Sequence, residues 1–139
     1  MNAVGIIPAR LASSRLPGKL LRSDTGKPLI QYTWEAARRC KRLGEVIVAT
    51  DSPEIFAAVK AFGGRAEMTG EHASGTDRVA EVVRRHCPNA DVIVNVQGDE
   101  PELDPRQIDQ LISTMARHPR TEMATLAAPI RQRAVLEDP

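Results

Sequence analysis

The chain has 139 residues, 42% of them hydrophobic, with a formal net charge of +1 and only one Trp, one Tyr and two Phe. That balance fits about one soluble globular domain with an ordinary core and argues against a nucleic-acid groove, which combines excess positive charge with stacking aromatics. No apolar run reaches bilayer length and the N-terminus lacks a secretory pattern, while Cys40 and Cys87 stand alone without metal-ligand or disulfide-framework spacing, so a cytoplasmic protein without membrane insertion is expected.

In chain order, AVGIIPA (residues 3–9) reads as a first strand. Pro28 suits the first turn of a helix whose inner face carries Leu29, Thr33, Ala36, Ala37 and Cys40. EVIVATD is a second strand, and PEIFAAVKAF is a second helix stopped by Gly63 and Gly64. RAEMT is a short third strand. The third helix, over Thr76–His86, opens with Ser74 and Asp77 at capping-box spacing and is expected to bury Val79, Ala80, Val82 and Val83. DVIVNVQ is an unbroken apolar run of the kind found in parallel strands covered on both faces. A fourth helix follows Asp104 and Pro105, with Gln107 at the capping-box position and Ile108, Leu111, Ile112 and Met115 at helical spacing. MATLAAPI reads as a fifth strand.

Strands alternating with helices predict a Rossmann-like α/β layer, a right-handed and mostly parallel sheet with helices on both faces. Ligands of such sheets bind outside the carboxyl ends of the strands. Four polar loops fall there: PARLASSR, ATD, EHASGTDR and QGDEP. The fingerprint GxGxxG is absent, and so is GxxxxGK[ST], because Lys19 precedes Leu20 and Lys27 precedes Pro28. Arg10, Arg15 and Lys19 offer cations to a polyphosphate by another route, with backbone N–H groups near Gly18 as an anion nest. Asp99, just past an apolar strand, is placed to hold Mg2+, which takes one or two carboxylates plus phosphate oxygens. Taken singly, these residues have plainer accounts as solvated cations, turn carboxylates before Pro101 and helix caps at Ser74 and Asp77. His72, His86 and His118 are scattered and show no ligand pattern. Convergence on one edge favours a Mg2+-nucleotide site.

In order and spacing, IIPARLASSRLPGKLL, VIVATD, HASGTDR, VIVNVQGDEP and MATLAAPI resemble the N-terminal part of the 3-deoxy-manno-octulosonate (Kdo) cytidylyltransferases, the CMP-Kdo synthetase family, over essentially the whole chain. The first loop is similar to that of other sugar nucleotidyltransferases, but SGTDR joined to NVQGDEP points to the Kdo enzymes rather than the sialic-acid cytidylyltransferases. The resemblance implies a nucleotidyltransferase-type fold in which residues 1–139 are a nucleotide-binding α/β domain, the N-terminal half of a longer cytidylyltransferase. It implies transfer of a cytidylyl group from CTP to Kdo, giving CMP-Kdo and pyrophosphate for lipopolysaccharide synthesis.

On matching positions the resemblance implies triphosphate contacts from Arg10 and Lys19, with Arg15 a third, and backbone of Pro8 and Ala9 against the nucleotide. It places Ser74, Gly75, Thr76 and Arg78 at the cytosine and ribose, Gln97 facing nucleotide and sugar, and Asp99 on the catalytic Mg2+. Arg10, Lys19 and Asp99 form the implied catalytic set. The later half of the longer family members is expected to supply most Kdo contacts, a second metal-binding aspartate and a homodimer interface. A CTP-binding module without catalysis and a different sugar nucleotidyltransferase remain alternative readings.

Overall fold

A computed structural model describes residues 1–11 and 18–125. Four strands, β1 (Ala3–Ala9), β2 (Glu45–Thr50), β3 (Arg65–Met68) and β4 (Val92–Asn95), form one sheet in the order β3-β2-β1-β4. Every pairing is parallel, with Ile6 opposite both Ile47 and Asn95. Helices α1 (Leu29–Arg38), α2 (Pro53–Ala61), α3 (Gly75–His86) and α4 (Pro105–Arg117) connect or follow the strands, and a single 3-10 turn occupies Lys19–Leu21.

Period-two alternation divides the core between the two faces. Ala3, Ile7 and Ala9 of β1 and Val46 and Val48 of β2 pack with Ile30 and Ala37 of α1, Ile55 and Val59 of α2, and Ile108 and Ile112 of α4. Their neighbours Val4, Ile6, Ile47 and Ala49 face Val79 and Val82 of α3. Three helices therefore cover one face and α3 covers the other, as the alternating pattern predicts. Asp109 of α4 accepts from the backbone N–H groups of Lys41 and Arg42, which fixes α4 to the turn after α1.

Several local expectations need correcting. Pro28 is the cap residue preceding α1, with ψ of 145°, instead of a residue of its first turn. Ala80 and Val83 are only partly buried, and the buried inner face of α3 includes Arg78. Val92, Ile93 and Val94 are half-buried, whereas coverage on both faces was expected. Among the described residues β4 is an outer strand with β1 on one side, so its apolar run meets less cover than its composition suggests. Met123–Thr125 has no regular structure, and the remainder of the expected fifth strand lies outside the described residues. No described helix is long and apolar enough to cross a membrane.

Candidate active site

The strand order reverses between β1 and β4, and the loops leaving these two strands bound a crevice at their carboxyl ends. Pro8, Ala9 and Arg10 end β1, and Lys19 enters from the 3-10 turn. Gly18 makes that entry possible by adopting φ of 70°, a left-handed conformation that costs other residues more. Its N–H donates to the Leu11 carbonyl at 3.0 Å, so this amide closes the loop and is not one of the anion-nest donors expected near Gly18. Arg15 lies outside the described residues.

Opposite Lys19, buried Thr33 of α1 donates its hydroxyl to the Gly98 carbonyl at 2.7 Å. That bond anchors the turn after β4 and presents Asp99 to the crevice. Lys19 Nζ stands 2.8 Å from Asp99 Oδ2, and both side chains are substantially exposed, 40% and 45%. The hydrogen bond from Lys19 holds the Asp99 carboxyl below its ordinary range, against a smaller opposing effect of burial. A cleft of about 220 Å³ runs between Pro8, Arg10, Lys19, Gln97 and Asp99.

A second cleft, about 330 Å³, joins the first through Pro8, Arg10 and Gln97 and extends along Ala73, Ser74 and Gly75. Gly75 rests against the Pro8 ring, where an added Cβ would come within 3.2 Å of Pro8 Cγ, so the start of α3 packs closely on the end of β1. Ser74 caps α3: its Oγ accepts from the Asp77 N–H at 3.2 Å and donates to the Asp77 carboxylate at 3.0 Å. Thr76 is exposed and does not line this cleft.

Arg78 lines the cleft wall but its guanidinium is engaged from behind. Nη1 donates to Thr69 Oγ1 at 2.6 Å and lies 3.4 Å from Asp51 Oδ1, with the side chain 5% exposed. Its interactions tie the ends of β2 and β3 to α3, while its side chain lines both the second cleft and the third. Asp51 falls in the ATD loop and Thr33 on the expected inner face of α1, but the sequence assigned no partner to either of them or to Thr69. A polar residue inside the apolar stripe of α1 was the available signal for Thr33. His72, which showed no ligand pattern, lines the second cleft and also a third of about 620 Å³ beside Arg10 and Asp51.

The donor set fits Mg2+ only as part of a complex with phosphate. No group of three or more His, Cys, Asp or Glu side chains converges among the described residues. Asp99 offers one accessible, ionised carboxylate beside a cationic cleft, which suits an ion that takes one or two carboxylates and completes its shell with phosphate oxygens and water.

A parallel layer of order 3-2-1-4 with cations and a carboxylate at its carboxyl edge defines a Rossmann-like α/β protein whose crevice opens at the switch point between β1 and β4. A cytidylyltransferase family model matches residues 4–139, and the chain belongs to that family. It is similar to the 3-deoxy-manno-octulosonate cytidylyltransferase of Geobacter sulfurreducens, 50% identical over 132 residues, which are 94% of this chain and 52% of that protein. The 8-amino-3,8-dideoxy-manno-octulosonate cytidylyltransferase of Shewanella baltica is 47% identical over 142 residues, covering 100% of this chain and 58% of that protein. A solved CMP:2-keto-3-deoxy-manno-octonic acid synthetase complexed with CTP superposes with a TM-score of 0.82 at 48% identity, over 86% of this chain and 49% of that one. The resemblance read from the sequence motifs and the expected fold class are both borne out. The chain spans about half the length of the relatives it matches.

Proposed function

We propose that this chain is the CTP-binding half of a Kdo cytidylyltransferase, a cytoplasmic enzyme that makes CMP-Kdo and pyrophosphate for lipopolysaccharide synthesis. The observation that carries the proposal is the position of Arg10, which lines all three clefts and so links the space beside Lys19 and Asp99 to the space beside Ser74 and Gly75. A nucleoside triphosphate needs that combination, with cations at one end and a close-fitting polar loop at the other.

In this proposal Arg10 and Lys19 neutralise the triphosphate, with Arg15 as a third cation, and Pro8 and Ala9 place backbone against the nucleotide. Ser74 and Gly75 meet the cytosine and ribose at the start of α3, whose Arg78 ties it to the ends of β2 and β3. Gln97, between the two clefts, orients nucleotide and sugar. Asp99 would hold Mg2+, which when bound would offset phosphate charge and make the α-phosphorus more electrophilic. The 2-hydroxyl of Kdo attacks the α-phosphorus and gives its proton to water, while the bond from that phosphorus to the bridging oxygen breaks and releases pyrophosphate. Such a displacement depends on positioning and charge neutralisation and requires no covalent nucleophile from the protein. Most Kdo contacts, a second metal-binding aspartate and a homodimer interface are assigned to a half of the kind that the matched relatives have beyond this one.

Pyrophosphate release measured with CTP, Mg2+ and Kdo tests the transfer in a protein carrying both halves, and calorimetry with CTP tests the half described here. Asp99→Asn should leave CTP affinity within about tenfold while release falls by about two orders of magnitude or more. CTP binding without Kdo-dependent release would favour a non-catalytic module. The Shewanella relative favours comparing Kdo with its 8-amino analogue as acceptor, and faster release with the analogue would replace Kdo in the proposal. Equal binding of CTP and the other nucleoside triphosphates would point instead to a different sugar nucleotidyltransferase.

A further inference from the structure

Arg78, Glu81 and Arg85 recur at helical spacing along one side of α3, and all three reach the same short segment leaving β3. Arg78 Nη1 donates to Thr69 Oγ1 at 2.6 Å and to the Gly70 carbonyl at 3.3 Å. Arg85 Nη1 donates to the Met68 carbonyl at 3.1 Å and to Glu81 Oε2 at 2.9 Å. Glu81 joins these contacts. Its Oε1 accepts from the Gly70 N–H at 3.0 Å and pairs with His72 Nε2 at 2.9 Å. Residues Met68–His72 are thus gripped at two carbonyls, one amide, one hydroxyl and one ring, all from a single helix.

The chemistry of the grip has a direction. An ionised carboxylate only accepts, so His72 Nε2 carries the hydrogen of that pair. Donation from His72, then from the Gly70 amide and Arg85, holds the Glu81 carboxyl down to about 2, which keeps it ionised at neutral pH. His72 is part of the wall of two clefts, whereas Glu81 lines neither of them.

We infer that Glu81 is the positioning residue of the base-recognising wall: it sets the path of the chain over Gly70–His72, which leads into Ser74 and Gly75, and fixes one orientation of His72, without touching nucleotide itself. The inference rests on the proposed CTP site and adds the device that shapes it. A wall set in this way discriminates between bases by where its donors and acceptors stand. The cations assigned to phosphate, Arg10 and Lys19, belong to other loops, whereas the ion-pair partners of Glu81 are His72 and Arg85.

Calorimetry of Glu81→Ala and Glu81→Gln with CTP, UTP and inorganic tripolyphosphate separates the two sets of contacts. Glu81→Ala should weaken CTP about tenfold or more and shrink the preference for CTP over UTP, leaving tripolyphosphate unchanged. Glu81→Gln, which keeps an acceptor and a similar shape, should lie between wild type and Glu81→Ala. Equal weakening of CTP and tripolyphosphate in both variants, or no weakening of either ligand, would overturn the assignment. Amide exchange supplies a readout that needs no nucleotide: the Gly70 N–H should lose protection in Glu81→Ala, and unchanged protection would overturn the positioning role directly. If wild type holds UTP as tightly as CTP while the Gly70 effect is present, the positioning stands and the base-recognition part of the proposed function fails.

Discussion

The two walls of the crevice are held in opposite ways. The wall built from Thr69–Arg78 is fastened by Arg78, 5% exposed, whose partners Asp51 and Thr69 stand just past β2 and β3, and by Glu81 of α3, 18% exposed. The wall that carries Lys19 and Asp99 is fastened by a neutral bond, Thr33 to the Gly98 carbonyl, and its charges stand in the open at 40% and 45% exposure. Buried charges are costly to disturb and fix a shape, whereas exposed ones cost the fold little and stay available to a ligand. One wall therefore suits recognition by shape and the other suits binding of charge.

Substitution at Arg78 tests that contrast most severely. Arg78→Met removes the guanidinium that pairs with Asp51 and donates to Thr69 and should cost roughly 2–3 kcal/mol of stability, measured by urea unfolding. A loss under about 0.5 kcal/mol, the range of ordinary surface changes, would break the comparison. On the open wall Lys19→Ala should do the reverse, weakening CTP by roughly 1.5–3 kcal/mol while cytidine binding and stability change little. Equal calorimetric losses for CTP and cytidine would remove Lys19 from the phosphate end.

Thr33→Val keeps the side-chain shape and removes the donor to Gly98, so the fold should lose about 1–2 kcal/mol. Unfolding at the same urea concentration as wild type would mean that the turn bearing Asp99 is set by something else. The smallest effect concerns pH. Glu81 falls from an ordinary 4.5 to about 2 in the fold, so its ionised form stabilises the protein above about pH 4.5, and this contribution is lost as pH falls toward 2. The stability gap between wild type and Glu81→Gln should accordingly be constant near neutrality and close over that interval. A gap that persists at pH 2 would show that the grip does not depend on the charge.

The sequence disclosed the sheet because each strand and helix announces itself locally. AVGIIPA alternates its burial between two cores, Pro53 and Pro105 open helices, and Ser74 caps the next. Charge and loop position also singled out Arg10, Lys19 and Asp99, the family resemblance added Pro8 and Gly75, and the fold brings these to one edge. What stayed hidden depends on partners distant in sequence. Thr33 resembles any residue of an amphipathic helix until Gly98 reaches it, and Glu81 resembles a solvated helix charge until Gly70 and His72 turn back toward it. The half-exposure of β4 was equally illegible, because an apolar run does not record how many strands flank it.

The register of the central strand bears on the order in which these walls form. Pairing β1 with β2 joins Val4 to Glu45, and pairing β1 with β4 joins Ala3 to Val92. The second loop is roughly twice as long as the first and costs about 0.7 kcal/mol more to close if nothing has yet formed. Prior docking of β2 and α3 onto β1 shortens the free chain that remains, so the cheaper route builds the layer from Ala3 through His86 and adds β4 afterward. Along that route the loop gripped by α3 has its partners before the turn after β4 brings Asp99 beside Lys19, and the carboxylate proposed to hold the metal is among the last groups to reach its place.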